Sequence, residues 1–177
     1  MLTFNLSVFF IVMQSLLIYD FEPGSTLNDW VVINDGVMGG RSRGSLVHNT
    51  AGHGVFSGQI SLENNGGFSS VRYRSGLVIS GGYSKVVLRI KGDGKRYQFR
   101  IREKKEDYYS FIRYFDTSGD WQTIELPLGS FYPVFRGRRL NLPNFKGETL
   151  EEIGFLIGNN RREPFELEID YIGLDSD

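Results

Sequence analysis

The chain has 177 residues, no cysteine, two histidines and a formal net charge of −1 at neutral pH. These totals exclude thiol catalysis, disulfides and zinc–thiolate sites, and they argue against general nucleic-acid binding, which needs a basic field to release counterions from phosphates. A chain of this length suits one domain that buries about 70% of its unfolded surface without a disulfide or metal staple.

The first stretch, "MLTFNLSVFFIVMQSLLIYDF", is apolar from Leu6 to Tyr19 apart from Ser7, Gln14 and Ser15. It lacks the basic start and small-residue cleavage site of a secretory signal, and polar residues leave it short of the ~20 apolar residues that span a bilayer. Its end, Leu16–Phe21, reads as a first strand. Residues 1–15 are thus a separate apolar segment, with leader, weak signal and membrane-associating segment all open, and residues 16–177 form a single domain.

From there, short runs of alternating apolar and polar residues recur between turn signals, as in a β-sandwich or barrel. Strands are predicted at Leu16–Phe21, Trp30–Ile33, Ser42–Val47, Gly54–Ser61, Ser69–Arg74 and Lys85–Lys91. Others follow at Arg96–Arg102, Tyr108–Phe115, Trp121–Pro127, Ile153–Ile157 and Phe165–Tyr171. High aromatic content (14%) and 22 glycines agree with pleated surfaces joined by tight reversals. "KGDGK" (91–95) and "ENNGGF" (63–68) read as hairpin turns. "GETLEEIG" (147–154) reads as a short helical turn, and residues 129–149 as a long irregular segment.

The stretch "NDWVVINDGVMGGRSRGSL" (28–46) poses the question of a phosphate cradle. A P-loop needs lysine and then Ser or Thr opening a helix; here Gly36, Gly39 and Gly40 lead to Arg41 and Ser42, and a strand pattern follows. "GDG" at 92–94 supplies the first two glycines of a dinucleotide fingerprint, but Tyr97 stands where the third belongs. No nucleotide is expected at either place. His48 and His53 flank a loop at a spacing unlike HExxH and read as surface residues. No DxDxDG calcium loop, other metal set or cofactor signature is present, and no carboxylate pair is marked as acid and base.

Strand parity locates a candidate binding surface. Arg89 lies opposite Val86, Leu88 and Ile90; Gln98, Arg100 and Arg102 lie opposite Tyr97, Phe99 and Ile101; Arg72 and Arg74 lie opposite Val71 and Tyr73. If these strands share a sheet, they make an arginine-rich face for a protein segment or glycan, with Arg72, Arg89, Gln98 and Arg100 as its residues. The alternative is a solvated face whose arginines pair with carboxylates such as Glu166, Glu168 and Asp170. Arg113 falls with Tyr109, Phe111 and Phe115, and both Arg113 and Tyr109 are further candidates. Asn34, Asp35, Met38 and Arg41 are placed at one end of the sandwich, bordering the same face beside the loop Asn64–Gly67.

Four spaced blocks carry a resemblance: "WVVINDGVMGGRSRGS", "FSGQISLENNGGFSSVRYR", "LRIKGDGKRYQFRI" and "PNFKGETLEEIGFLIGN". In this order they resemble the complex I intermediate-associated protein 30 family. The resemblance implies an all-β, jelly-roll β-sandwich of the galactose-binding-domain type, with two antiparallel sheets. It also implies a non-enzymatic chaperone that holds intermediates of the membrane arm of NADH:ubiquinone oxidoreductase during assembly, without a cofactor. The short N-terminus, without an Arg-rich transit segment, looks like that of a compact bacterial relative. It implies a cytoplasmic location or peripheral association with the inner membrane, with export by a weak signal as the alternative. Carbohydrate-binding modules share the sandwich, so the second reading is a module whose Tyr97, Tyr108, Tyr109 or Trp121 stacks on sugar rings.

Overall fold

The structure, a computed structural model, describes residues 14–79 and 81–176. Of the apolar segment at 1–15, all but Gln14 and Ser15 lie outside the described residues. Alternating apolar residues form fifteen described strands in two layered antiparallel sheets and a small ribbon.

The smaller sheet holds β1 (Ser15–Asp20), β3 (Arg43–His48), β4 (Gly54–Gln59), β7 (Lys85–Lys91), β10 (Trp121–Pro127) and β15 (Pro164–Asp175), in the order β10–β7–β15–β4–β3, with β1 on the C-terminal half of β15. The larger sheet holds β2 (Trp30–Asn34), β5 (Ser69–Tyr73), β8 (Arg96–Arg102), β9 (Ser110–Asp116), β11 (Tyr132–Phe135), β12 (Arg138–Arg139) and β14 (Glu152–Ile157), in the order β12–β11–β9–β8–β14–β5–β2. β6 (Leu77–Val78) and β13 (Thr149–Leu150) form the ribbon. The architecture is the expected all-β jelly-roll sandwich. Val86, Leu88 and Ile90 enter the core from the smaller sheet, and Tyr97, Phe99 and Ile101 from the larger; all six are fully buried. Each such side chain contributes about 1.5–3 kcal/mol by leaving water.

Three local expectations give way to long-range pairing. β7 and β8 lie in different sheets, so the turn at Asp93-Gly94 is an arch over the core and not a hairpin. The Asp93 carboxylate fixes that arch, accepting hydrogen bonds from Lys95 Nζ (2.7 Å), Tyr97 Oη (3.0 Å) and the Glu166 amide of β15 (2.9 Å). The Asn64–Gly67 loop likewise carries the chain from β4 in one sheet to β5 in the other. In place of a helical turn, residues 147–154 hold β13 at Thr149–Leu150 and the start of β14 at Glu152, and Ile153, Phe155 and Ile157 of β14 bury one face at a period of two. Within the segment 129–149 the chain makes a tight β11–β12 hairpin, with Arg136 and Gly137 both at positive φ (47° and 77°).

The glycine-rich stretch is shaped around one carboxylate. Asp35 opens a 3-10 turn (Asp35–Met38) between β2 of the larger sheet and β3 of the smaller, and it is fully buried. Its Oδ1 accepts from the Ser42 amide (2.9 Å), and its Oδ2 from Ser42 Oγ (2.5 Å) and the amides of Gly67 (2.6 Å) and Phe68 (3.3 Å). The Asp35 hydrogen bonds thus tie the β2–β3 connection to the β4–β5 connection. Two glycines make room for it: a Cβ at Gly40 would lie 2.3 Å from Asp35 Cγ, and one at Gly66 2.5 Å from Oδ2. Burial pushes the Asp35 carboxyl up, but the hydrogen bonds from Ser42, Gly67 and Phe68 outweigh it and hold the pKa below the ordinary 3.8.

Asp35→Ala strands these donors and is expected to cost about 2–4 kcal/mol in urea unfolding. Because the folded-state pKa lies below the unfolded value, the carboxylate's contribution is complete above the unfolded value of 3.8 and is lost as pH falls through the lower folded-state value. Asp35→Asn therefore flattens the acid limb of the stability profile, and an unchanged limb contradicts the assignment.

Candidate functional site

The outer face of the larger sheet is built by register. One row crosses it as Tyr132, Ile112, Arg100, Gly154, Arg72 and Val31. The next row toward the Asp35 end places Tyr114, Gln98, Leu156, Ser70 and Ile33 side by side. On the other side, Arg102 stands opposite Glu152. Arg72, Gln98 and Arg100 therefore share a face, as strand parity predicts.

These side chains form one polar network. Glu152 Oε1 lies 3.6 Å from Nη1 of both Arg72 and Arg102. Arg100 Nη1 donates to Gln98 Oε1 (2.8 Å), Gln98 Nε2 donates to Tyr114 Oη (2.9 Å), and Arg102 Nε donates to Ser110 Oγ (3.2 Å). Burial, reinforced by Arg72 and Arg102, pulls the Arg100 guanidinium down to about 10, which leaves it charged at neutral pH. Burial also lowers Arg72, with Glu152 opposing.

Beyond Tyr114 the face opens into a trough of about 450 Å³ walled by β8, β9 and the loop after β14. Arg96 lies over the Tyr114 ring, 3.9 Å from its centroid, while Asp116, Asn159, Asn160, Arg161 and Glu163 supply polar groups. Gly158 closes one side; a Cβ there would stand 3.1 Å from the Gly67 carbonyl oxygen and 3.3 Å from Phe68 Cβ. The loop whose amides Asp35 holds therefore backs the trough wall.

The other candidate residues lie elsewhere. Arg89 is on β7, so it faces outward from the opposite sheet; the arch at Asp93-Gly94 separates it from Arg100. There it stacks on Trp121 at 5.6 Å, and its neighbours Lys85 and Lys91 pair with Glu125 and Glu168, the carboxylate-paired surface weighed as the alternative. Arg113 pairs in register with Phe99 and has the inward parity of Phe111 and Phe115, yet it is exposed, and Tyr109 packs on Phe111 at 5.4 Å. Asn34 and Asp35 serve the fold: Asn34 Oδ1 accepts from Ser69 Oγ (2.7 Å). Arg41 makes an exposed ion pair with Glu63 (2.9 Å). The Met38 side chain lies outside what the structure describes. Of the proposed sugar-stacking residues, Tyr97 is wholly buried, whereas Tyr108 is 62% exposed. Tyr114, Arg96, Glu152 and the Asn159–Arg161 loop were not singled out by sequence; the mixed aromatic parity of "YYSFIRYF" hid Tyr114.

Comparison with known proteins decides the family. The family model for complex I intermediate-associated protein 30 matches residues 19–169, spanning both sheets. The chain belongs to this family. It is 25% identical over 189 residues to the mitochondrial complex I intermediate-associated protein 30 of Drosophila melanogaster, covering 91% of this chain and 63% of that one. To the Mus musculus protein of the same name it is 24% identical over 194 residues, covering 94% and 58%. The chain thus spans about three-fifths of these relatives' lengths. Among solved structures, a family 11 carbohydrate-binding module from Clostridium thermocellum in complex with a β-1,3-1,4-mixed-linked tetrasaccharide superposes with a TM-score of 0.61 at 20% identity, covering 90% of this chain and 94% of that one. At that identity the likeness establishes the shared sandwich fold.

Two substitutions separate structural from ligand-directed charge within this family member. Glu152→Gln leaves Arg72 and Arg102 without their shared anion, beside the Arg100 charge, and should lower stability by about 1–2 kcal/mol, more at low salt. Arg100→Gln relieves the same repulsion and should leave the unfolding temperature unchanged or raised. A marked loss of stability in Arg100→Gln would make Arg100 a structural residue.

Proposed function

We propose that this chain is a non-enzymatic binding domain that holds a protein segment during assembly of NADH:ubiquinone oxidoreductase, using the outer face of the larger sheet. Family membership supports the assembly role. The observation that carries the choice of surface is the Arg100–Gln98–Tyr114 chain, a half-buried network that leads from the arginine cluster into the trough. Arginine and tyrosine are the residue types enriched in recognition surfaces, since they join broad flat contact to directed hydrogen bonds. The trough is open and polar, a shape suited to laying down an extended chain.

A glycan is the second reading, favoured by the Tyr114 ring and the amide and carboxylate groups of Asn159, Asn160 and Asp116 in one trough, on a sandwich shared with a carbohydrate-binding module. A pull-down from the native host with tagged wild-type and Tyr114→Ala protein, run beside a glycan array, separates the two. The client reading expects respiratory-complex subunits to be recovered by wild type and depleted with Tyr114→Ala. Saturable glucan binding with no recovered subunit would reverse the assignment.

A further inference from the structure

The arginine cluster carries more positive charge than it neutralises. Arg72, Arg100 and Arg102 surround one carboxylate, Glu152, which lies within ion-pair distance of Arg72 and Arg102. Among the described residues Arg100 makes no ion pair, and its acceptor Gln98 is neutral. A guanidinium has five N–H donors in a fixed planar fork. Burying one with a neutral acceptor and two like charges nearby is unfavourable. The fold nevertheless holds it in place: the Gln98 amide nitrogen is committed to Tyr114 Oη, which turns its oxygen toward Arg100.

The space beside the fork is kept open. Gly154 lies between Arg100 and Arg72 in the same row, and a Cβ there would stand 2.2 Å from the Val71 carbonyl oxygen. No side chain therefore fits between the two guanidinium groups, whose backbones are two strands, roughly 10 Å, apart. A dimple of about 10 Å³ lined by Arg72, Arg100, Arg102, Ser110, Glu152 and Gly154 marks the gap. That is space for one oxygen-sized atom.

We propose that Arg100 is the socket for a side-chain carboxylate of the bound client, so that this face selects segments carrying Asp or Glu between apolar residues. The inference rests on the client-binding reading and names its chemistry. An incoming carboxylate offsets part of the excess positive charge, with one oxygen seated in the dimple to accept a charge-assisted hydrogen bond from the guanidinium. The same row continues past the buried Ile112 to the half-buried Tyr132 ring on one side and to Val31, 44% exposed, on the other. Apolar flanks beside a cationic centre match a peptide with apolar residues around an acidic one better than they match a polyhydroxylated uronate chain.

The test uses the full chain on an array of short random-sequence peptides, with uronate oligosaccharides printed alongside. Wild type is expected to bind peptides enriched in Asp or Glu flanked by apolar residues. Affinity for those peptides should fall at least about tenfold in Arg100→Gln, partly recover in Arg100→Lys, and stay unchanged in Arg89→Gln on the opposite sheet. Binders without acidic enrichment, equal binding by Arg100→Gln, no peptide binding at all, or Arg100-dependent binding to uronates alone would each overturn the socket. If Arg100→Gln still recovers respiratory subunits from the host at the wild-type level, the socket fails while the client reading stands; if neither protein recovers any, the client reading itself fails.

Discussion

The fold depends on the buried Asp35 carboxylate. Its hydrogen bonds gather the β2–β3 and β4–β5 connections, two of the places where the chain passes between the sheets. Buried ionised groups persist only when their lone pairs are filled, and here the amides of Ser42, Gly67 and Phe68 and the Ser42 hydroxyl fill them. Gly40 and Gly66 are glycines because a side chain at either would occupy the carboxylate's own volume. The stretch that first resembles a phosphate cradle is thus a cradle for an internal anion.

From that junction the geometry leads outward to function. Gly67 and Phe68, held by Asp35, press on Gly158, and Gly158 lines the trough on the outer face of the larger sheet. Arg96, Tyr114, Gln98 and Arg100 then run from trough to arginine cluster. The two outer faces differ physically. On the smaller sheet Lys85 and Lys91 have carboxylate partners, whereas on the larger sheet Arg72 and Arg102 share one and Arg100 has none among the described residues. Paired surface charge contributes little to recognition; excess charge held in partial burial is available to a ligand.

Strand parity made much of this legible in the sequence. Alternation in "KVVLRIK" and "RYQFRIR" identifies both the core residues and the outward arginines, because side-chain direction has a period of two whatever the sheet. Sheet membership was not legible. Asp93-Gly94 and Asn64–Gly67 have turn chemistry, but a turn's local dihedral preferences do not say whether the next strand pairs with the last or crosses the core. That one ambiguity misplaced Arg89 beside Arg100. Asp35 falls among the candidate binding residues at the end of the sandwich for a related reason: its donors at Gly67 and Phe68 are more than thirty positions away, and nothing local announces them. Glu152 is hidden inside a segment that reads as a short helical turn.

The central claim is that the outer face of the larger sheet is where the client is held. The most direct measurement is site-specific photo-crosslinking in native membranes, with the photoreactive residue at position 114 in one protein and at position 89 in another. The account predicts protein adducts from position 114, containing respiratory-complex subunits, and none from position 89. Adducts from position 89 alone would contradict it.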